Sequence, residues 1–410
     1  MFKELRDLLN EKNKTNSNLL LGVAIFAPII VLMFIKFFIA LFQIPLEFDS
    51  LVYHLPIVTE WLQTGSIMNI YYNAFAGPLA YYPSNFDLFY LWSMLPINND
   101  FFINLINFPL FLLLTLTIYC ISINFGISKK VSLFISAFPL YMPVFLQQAG
   151  TIFVDIYFIL TFSLSIYFLQ EVAKNTVEKS NSIMFGLALG LFMGTKYLGL
   201  PYGIIPLAIF ILIHLFRKNK SYYALASGLF SVFLTGSFFY IRNWINSGNP
   251  IFPVEINLFG HTLFQGYPNI SDKIYGSSLL SNISEISVIK EFASAFWTMT
   301  DLPGFLVLIS VIISFIFISI SLVKKRISKP DLIIATLLLV GSIGYLLFYI
   351  KSPYSYSDLI YNVRYAMPFL ILGSLNIGFL VTKIKRLRVA FYIFSTFAFI
   401  HSLYYLFIIP

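Results

Sequence analysis

The ten residues from Glu47 to Pro56, EFDSLVYHLP, hold two acids, a tyrosine and a histidine directly after a long apolar run. A carboxylate in such a place can take a proton from a hydroxyl or an amine, so Asp49 is a candidate general base. Capping of a helix is the alternative for Asp49. Tyr53 and His54 are candidate substrate-binding residues, and His54 has the alternative of an interfacial residue flanked by tyrosine. Glu47 and Asp49 together could also hold a divalent metal.

Basic residues stand at the ends of three other apolar runs, at Lys196, Arg242 and Arg364. Ammonium and guanidinium groups bind phosphate oxygens and stabilise negative charge that develops on a leaving group. All three residues are therefore candidate phosphate ligands, and their neighbours Asn243 and Tyr365 are candidate substrate-binding residues. Snorkelling of Lys196 and interfacial anchoring of Arg242 are the structural alternatives. A phosphate beside Arg364 would also meet the N-terminus of the helix that follows.

Three further acids have less defined roles. Asp155, in QQAGTIFVDIYF, begins an apolar helical run, and a buried carboxylate there needs a cation as its partner. Any of the three basic residues above could supply it, and both structural pairing and acceptor binding remain open for Asp155. Glu60 and Asp87 are predicted to be solvent-facing or capping residues.

The composition places the whole chain in a membrane. Of its 410 residues 59% are hydrophobic and only 11% are charged, whereas a soluble protein has about 25% charged residues. The net charge of +8 does not indicate nucleic-acid binding, because the basic residues follow a membrane topology. Cys120 is the only cysteine, so an intrachain disulfide is excluded.

We predict an all-α polytopic membrane protein with about eleven transmembrane helices, because a span needs about 20 apolar residues. The segments at 131–149 and 181–195 are short or interrupted by Pro or Gly, so the count depends on them. The predicted spans are 19–42, 101–123, 131–149, 152–170, 181–195, 198–216, 221–240, 303–323, 331–350, 366–382 and 389–409.

Glycine repeats every four residues at Gly186, Gly190 and Gly194. Small residues at this spacing form a face on which a second helix can approach closely. We expect this face to pack against a neighbouring helix and to hold Lys196 in place.

Most of the 26 basic residues lie in alternate connections between the predicted spans. The positive-inside rule then puts the N-terminus in the cytoplasm, and an odd number of helices puts the C-terminus outside. We therefore predict a multi-pass protein of the plasma (inner) membrane with long external loops at about 43–100, 241–302 and 351–365. Residues 1–410 are predicted to form one transmembrane domain without a separate soluble domain.

The first of these loops has its own helical pattern. Apolar residues recur at helical spacing after Asp49, and Pro56 favours the start of a second short piece at 56–63. Gly65 is suited to end that piece as a C-terminal cap. The first loop is thus predicted to lay short amphipathic helices on the membrane surface.

Five stretches together resemble the GT-C superfamily of membrane glycosyltransferases. The resemblance is to its family 39 members, which are related to protein O-mannosyltransferases and to the aminoarabinose transferase of lipid A. The five stretches follow one another in the order found in that family. They are FDSLVYHLPIVTEWLQTGSI at the first loop, YPSNFDLFYLW (82–92), GLALGLFMGTKYLGLPYG (186–203), RNWINSGNPIFP (242–253) and NVRYAMPFL (362–370).

The resemblance implies an inverting transfer of a sugar from a polyprenyl-phosphate donor to an acceptor on the external face of the membrane. Asp49 stands where those enzymes carry an essential Asp, so it would activate the acceptor while basic residues hold the lipid phosphate. The acceptor is a protein, a lipid or a surface glycan. No cofactor is expected to be required, because a monophosphate leaving group carries little charge.

The sequence departs from the family pattern in two places. A basic residue is expected just after the HLP run, where Ile57 stands, and the external C-terminal domain of some relatives is absent. Two other classes remain as alternatives: a transporter or flippase of lipid-linked saccharides, and a polymerase or ligase. A transporter should show internal repeats and ionisable residues near the bilayer midplane, whereas here the ionisable residues crowd the predicted external edges.

Overall fold

The computed structural model describes residues 15–70, 77–174, 179–217, 221–267, 278–324, 327–352, 355 and 358–408. Helices dominate these residues, and several are long and apolar enough to cross a bilayer. This confirms the prediction of an all-α polytopic membrane protein.

The described helices are numbered α1 to α17 in chain order. They are α1 (Thr15–Phe42), α2 (Leu55–Thr64), α3 (Asp87–Met94), α4 (Phe108–Asn124), α5 (Lys129–Ala137), α6 (Pro143–Leu146), α7 (Asp155–Ala173), α8 (Lys179–Met193), α9 (Gly199–Phe216), α10 (Tyr222–Gly236), α11 (Phe238–Ser247), α12 (Leu279–Asn282), α13 (Ile286–Lys324), α14 (Lys329–Lys351), α15 (Leu359–Asn362), α16 (Met367–Lys383) and α17 (Leu387–Ile408). A π-helical turn covers Ser50–His54, and 3₁₀ turns cover Gly77–Tyr81, Ile103–Leu105, Phe138–Tyr141 and Val363–Ala366.

By length and composition, eight helices of the described residues can span a membrane, or nine if the bent pair α10–α11 counts as one span. These nine correspond to nine of the eleven predicted segments. The other two contain shorter helices. At 131–149, Pro139 and Pro143 prevent the helix from continuing beyond the 9 residues of α5. At 181–195, α8 has 15 residues, about 22 Å of helix.

The chain divides into two compact units. The first unit comprises Met1–Ile35, Thr115–Gln147 and Gly276–Pro410, and the second comprises Lys36–Leu114 and Gln148–Tyr275. The prediction of a single transmembrane domain stays a prediction, and each unit is described by itself.

The first unit is built around α16, whose side chains are buried almost without interruption from Met367 to Val381. A helix that is apolar all round must be covered on every side, and α5, α13 and α14 supply that cover. Its one amide, Asn376, accepts a hydrogen bond from Ser314 Oγ at 2.6 Å and donates to the carbonyl of Ser310 at 3.2 Å. The polar group in the middle of this core is therefore satisfied.

Helix α13 bends at Asp301, which has φ 51° and ψ −156° and lies two residues before Pro303. Proline removes a helical hydrogen bond and often accompanies such a bend. The buried carboxylate accepts a hydrogen bond from Ser402 Oγ at 2.7 Å, and His401 Nδ1 lies 3.0 Å from it. Helix α17 therefore supports the bend.

In the second unit α8 packs between α7 and α10. The glycines of α8 allow its backbone to lie very close to that of α10. A methyl group at Gly186 would lie 2.2 Å from the carbonyl oxygen of Gly228 on α10, and one at Gly190 would lie 2.5 Å from the carbonyl of Val232. Only glycine allows this approach, as the four-residue repeat predicted. The region that follows Met193 is thereby held beside α10.

The second unit also contains one hairpin, β1 (Ile256–Leu258) and β2 (His261–Phe264). Phe259 and Gly260 form its two-residue turn, and both have positive φ, as in the mirror-image turns that suit hairpins. Strands of three and four residues are too short to leave a periodic pattern, so the hairpin was not predicted.

We predict that Gly186→Ala lowers the melting temperature of the purified protein in detergent. The added methyl group must push α8 and α10 apart, and overpacking of this kind costs about 1–3 kcal/mol. Gly22→Ala is the matched control, because a methyl group there meets no atom within 4 Å among the described residues. Equal melting temperatures for both variants would show that the close approach does not exist.

Candidate functional site

Asp49 stands immediately before the π-helical turn Ser50–His54 and is half-buried. The turn is closed by the N–H of Leu55, which donates to the carbonyl of Ser50. Within the described turn the Asp49 side chain makes no capping hydrogen bond. Single π-helical turns are rare and occur often at functional sites, and this one directly follows Asp49.

Local sequence signals start and stop the helix that follows. Pro56 occupies the first turn of α2, where its missing N–H costs nothing. Gly65 ends the helix with φ 65°, the left-handed conformation that glycine adopts freely. Ile57 and Trp61 bury one face of α2 against a cluster that also contains Phe239 of α11. The helix that follows the Asp49 turn is therefore held against α11.

His54 ends the π-helical turn and forms a buried pair with Asp87. Its Nδ1 lies 2.8 Å from Oδ1 of Asp87, and the side chains are 5% and 0% exposed. Asp87 was predicted to be a solvent-facing or capping residue, and the solvent-facing alternative is wrong because the side chain is buried. It is the first residue of α3. Its position inside an aromatic stretch was the one signal that it is buried.

The segment before α3 is fixed to the end of α8. The N–H of Asn85 donates to the carbonyl of Gly194 at 3.0 Å, and its side-chain amide donates to the carbonyl of Thr235 at 2.8 Å. A methyl group at Gly194 would lie 2.2 Å from that amide nitrogen. The close approach brings the segment that leads into Asp87 beside the residues that precede Lys196.

Lys196 donates a hydrogen bond to Asp155 at 2.6 Å. Asp155 begins α7, and Lys196 follows the end of α8. The lysine side chain is 13% exposed and the aspartate 2%, so the lysine is the more accessible member of the pair. Lys196 is thus the cation that the buried carboxylate was expected to need.

Arg242 and Asn243 lie on α11 and are buried. The Arg242 guanidinium donates to the carbonyl of Ala80 at 3.0 Å and lies over the ring of Phe239, with the carbon of the guanidinium 4.8 Å from the ring centre. Asn243 donates to the carbonyl of Tyr81 at 2.7 Å. Together the two residues bind the 3₁₀ turn Gly77–Tyr81 to α11.

Aromatic side chains connect the Asp49 turn to the Lys196 segment. The Tyr53 ring lies 4.1 Å from the His54 ring and 6.3 Å from that of Tyr82, centre to centre. Tyr82 is in turn 5.2 Å from Tyr197, whose hydroxyl accepts from the Asn243 amide at 2.9 Å. The rings thus link the turn that follows Asp49 to Asn243 and to Tyr197, the residue after Lys196.

Three acids of the second unit lie near the buried phenol of Tyr90 and affect its pKa. Burial raises the pKa of its phenol well above the ordinary value, and the charges of Asp87, Asp155 and Glu47 raise that pKa further. Its hydroxyl donates to the carbonyl of Phe153 at 3.0 Å. Three carboxylates therefore act on one neutral phenol.

The remaining predicted residues lie elsewhere or have other contacts. Arg364 and Tyr365 belong to the first unit, in the 3₁₀ turn before α16, with the guanidinium 5.4 Å from the ring centre. Glu47 accepts a hydrogen bond from Ser50 Oγ at 2.9 Å. Among the described residues no group of three or more His, Cys, Asp or Glu side chains could hold a metal ion.

No family model and no curated protein matches the sequence. Solved structures do match the fold. The Archaeoglobus fulgidus oligosaccharyltransferase, in complex with Zn and sulfate, has a TM-score of 0.50 at 14% identity, over 94% of this chain and 52% of that chain. This chain therefore spans about half the length of that protein.

Two structures of ArnT from Cupriavidus metallidurans match as well. The form bound to undecaprenyl phosphate has a TM-score of 0.45 at 13% identity, over 87% of this chain and 78% of that chain. The apo form has a TM-score of 0.42 at 12% identity, over 85% and 76%. The oligosaccharyltransferase is a GT-C fold member, and the chain has that fold.

We predict that Lys196→Met destabilises the protein by about 3 kcal/mol, because it leaves the buried Asp155 carboxylate without its ammonium partner. The double variant Lys196→Met/Asp155→Leu should recover most of this loss, as melting temperatures in detergent will show. Lys174→Met is the control, since its pair with Glu171 is exposed and worth about 0–1 kcal/mol. A double variant that melts below both single variants would contradict the pairing.

Proposed function

We propose that this protein is an inverting membrane glycosyltransferase that moves a sugar from a polyprenyl-phosphate donor to an acceptor. The GT-C fold supports the class, although a fold by itself hosts many functions. The chemistry is argued from the residues of the second unit. The acceptor is a protein, a lipid or a surface glycan.

One observation carries the proposal: ring contacts join the turn that follows the half-buried Asp49 to Tyr197, the neighbour of Lys196 in the Lys196–Asp155 pair. A glycosyl transfer from a lipid phosphate needs a base for the acceptor and a cation for the leaving group. Lys196 is the more exposed member of its pair. An incoming phosphate can therefore approach the ammonium while Asp155 stays behind it.

In the proposed step the Asp49 carboxylate takes the proton of the acceptor hydroxyl or amine. The acceptor atom then forms a bond to the anomeric carbon of the sugar as the bond from that carbon to the phosphate oxygen breaks. The bonding electrons leave with the polyprenyl phosphate, and attack from the opposite face inverts the anomeric centre. A general base contributes about 10²–10⁴-fold to such a step.

The other predicted residues have supporting roles in this proposal. Arg242 is a further candidate cation for the donor phosphate in the second unit, and Arg364 is the separate candidate in the first unit. Asp155 orients Lys196. Tyr53, His54 and Asn243 are the proposed substrate-binding residues of the second unit, and Tyr365 is the candidate of the first unit.

No metal or organic cofactor takes part in the proposed step, because a monophosphate leaving group carries only one or two charges that side chains can meet. Glu47 and Asp49 are the pair that a divalent cation would use if one were bound. The distribution of basic residues supports a plasma (inner) membrane protein with its N-terminus in the cytoplasm and its C-terminus outside. The proposed reaction then takes place on the external face.

We predict that Asp49→Asn lowers sugar transfer by at least about 10²-fold, since the amide cannot take the acceptor proton. The assay is transfer or hydrolysis of a panel of polyprenyl-phosphate hexoses and pentoses by the purified protein. Expression and donor binding should stay intact.

Glu60→Gln is the matched control for this substitution. Glu60 is a partly exposed carboxylate of α2, beside Leu51 and Gln63 in a shallow groove, and its loss should leave transfer unchanged. Full transfer by Asp49→Asn would overturn the proposed function. Movement of the lipid across a membrane without any transfer would favour the transporter alternative.

A second prediction concerns the donor phosphate. Lys196→Ala and Arg364→Ala should each weaken binding of undecaprenyl phosphate by about tenfold or more, because a charge-assisted hydrogen bond is worth about 1.5–3 kcal/mol. Binding is measured by the shift in melting temperature with ligand, at temperatures where each variant is folded.

Lys179→Ala serves as the control for loss of a lysine, because Lys179 contacts Tyr223 at the start of α8 and α10. It should bind undecaprenyl phosphate as the unmodified protein does. Unaltered binding in both Lys196→Ala and Arg364→Ala would show that the phosphate lies elsewhere.

A further inference from the structure

We propose that Asp87 is a positioning residue that acts on Asp49 through His54 and the π-helical turn. The inference rests on the proposed function, because it takes Asp49 as the base. Its own content is that the buried His54–Asp87 pair sets the geometry of the base.

The first step is the strength of the pair. Both side chains are buried, and the contact between Nδ1 of His54 and Oδ1 of Asp87 is 2.8 Å. Oδ2 of Asp87 and Nε2 of His54 have no hydrogen-bond partner in the described part of the chain. A buried carboxylate with one hydrogen-bonded oxygen depends heavily on that bond. Asp87 therefore holds the imidazole in one orientation, with Nδ1 directed at its carboxylate.

The second step is the path from His54 to Asp49. In an α-helix, residues five apart lie about 140° apart around the axis. The turn Ser50–His54 is closed by a bond from Leu55 to Ser50, which is the wider i→i+5 pattern. Wider winding reduces the angle between Asp49 and His54, so both lie toward the same side of the turn. An imidazole fixed at one end then constrains the carboxylate at the other.

The third step is what Asp87 is itself attached to. Asn85, two residues earlier, is bonded to Gly194 and Thr235, and Gly194 comes two residues before Lys196. Asp87 thus connects two elements: the π-helical turn that follows Asp49, and the segment that leads to Lys196, the proposed phosphate ligand. A small displacement of the Asp49 carboxylate relative to Lys196 lowers the rate of a reaction between positioned groups by about 10²-fold.

Hydrophobic packing of the turn is the competing explanation, because Val52 and Tyr53 are also buried there. If packing alone fixed the turn, removal of the Asp87 carboxylate would leave the reaction rate unchanged. The two explanations therefore differ in kinetics rather than in stability.

The experiment is a double-mutant cycle with Asp87→Ala and Asp49→Glu, read as kcat and KM for hydrolysis of the polyprenyl-phosphate hexose or pentose that the unmodified protein hydrolyses fastest. We expect Asp87→Ala alone to lower kcat by about 10²-fold with a nearly constant KM. In the Asp49→Glu background, where the base is already displaced, it should lower kcat by less than tenfold. Asp87→Asn keeps an acceptor for Nδ1–H and should recover at least tenfold of kcat.

Multiplicative effects of the two substitutions, or an unchanged kcat in Asp87→Ala, would overturn the inference. If Asp87→Ala does not fold, Asp87→Asn enters the same cycle, and the same criterion of coupled or multiplicative effects decides. His214→Gln is the control for a change at a buried histidine, since His214 is 2% exposed and contacts Ser182. It should keep kcat within twofold.

The cycle also separates this inference from the proposed function. If Asp49→Asn retains transfer, the proposed function fails and the positioning role fails with it. If Asp49→Asn abolishes transfer while the cycle is multiplicative, only the positioning role fails.

Discussion

The cost of removing a charged side chain from water governs the second unit. A buried ion needs a partner in good geometry, because its lost hydration is worth several kcal/mol. The unit meets this requirement with Lys196–Asp155 and His54–Asp87, which join residues 41 and 33 positions apart in the chain. Each pair therefore fixes where two distant segments meet, and the surrounding helices must accommodate that meeting.

The packing of α8 against α10 brings the segments that carry these pairs together. Glycines on α8 let α10 come within backbone contact, and this places the end of α8 beside the segment that leads into α3. Aromatic rings link the segments that carry the two pairs, and the side chains of both pairs are largely buried. Electrostatic interactions are stronger in such surroundings than in bulk water, which is the condition that a base and a phosphate-binding cation require.

Local features of the fold were predictable from the sequence, whereas features that depend on distant partners were not. Pro56 and Gly65 define α2 because a proline start and a glycine end act within one helix. The need of Asp155 for a cation follows from burial, yet only the structure selects Lys196. The burial of Asp87 depends on His54, and the π-helical turn has no sequence signature. The sequence therefore supplied the candidate residues and did not predict the His54–Asp87 pair.

The contact between Asn85 and Gly194 has a consequence for how this sequence can vary. With a methyl group at 194 only 2.2 Å from the Asn85 amide nitrogen, a larger residue there excludes the amide at 85. Conversely, a shorter residue at 85 would leave the carbonyls of Gly194 and Thr235 to find other donors. Positions 85 and 194 are therefore expected to change together among homologues, as a correlated pair of substitutions.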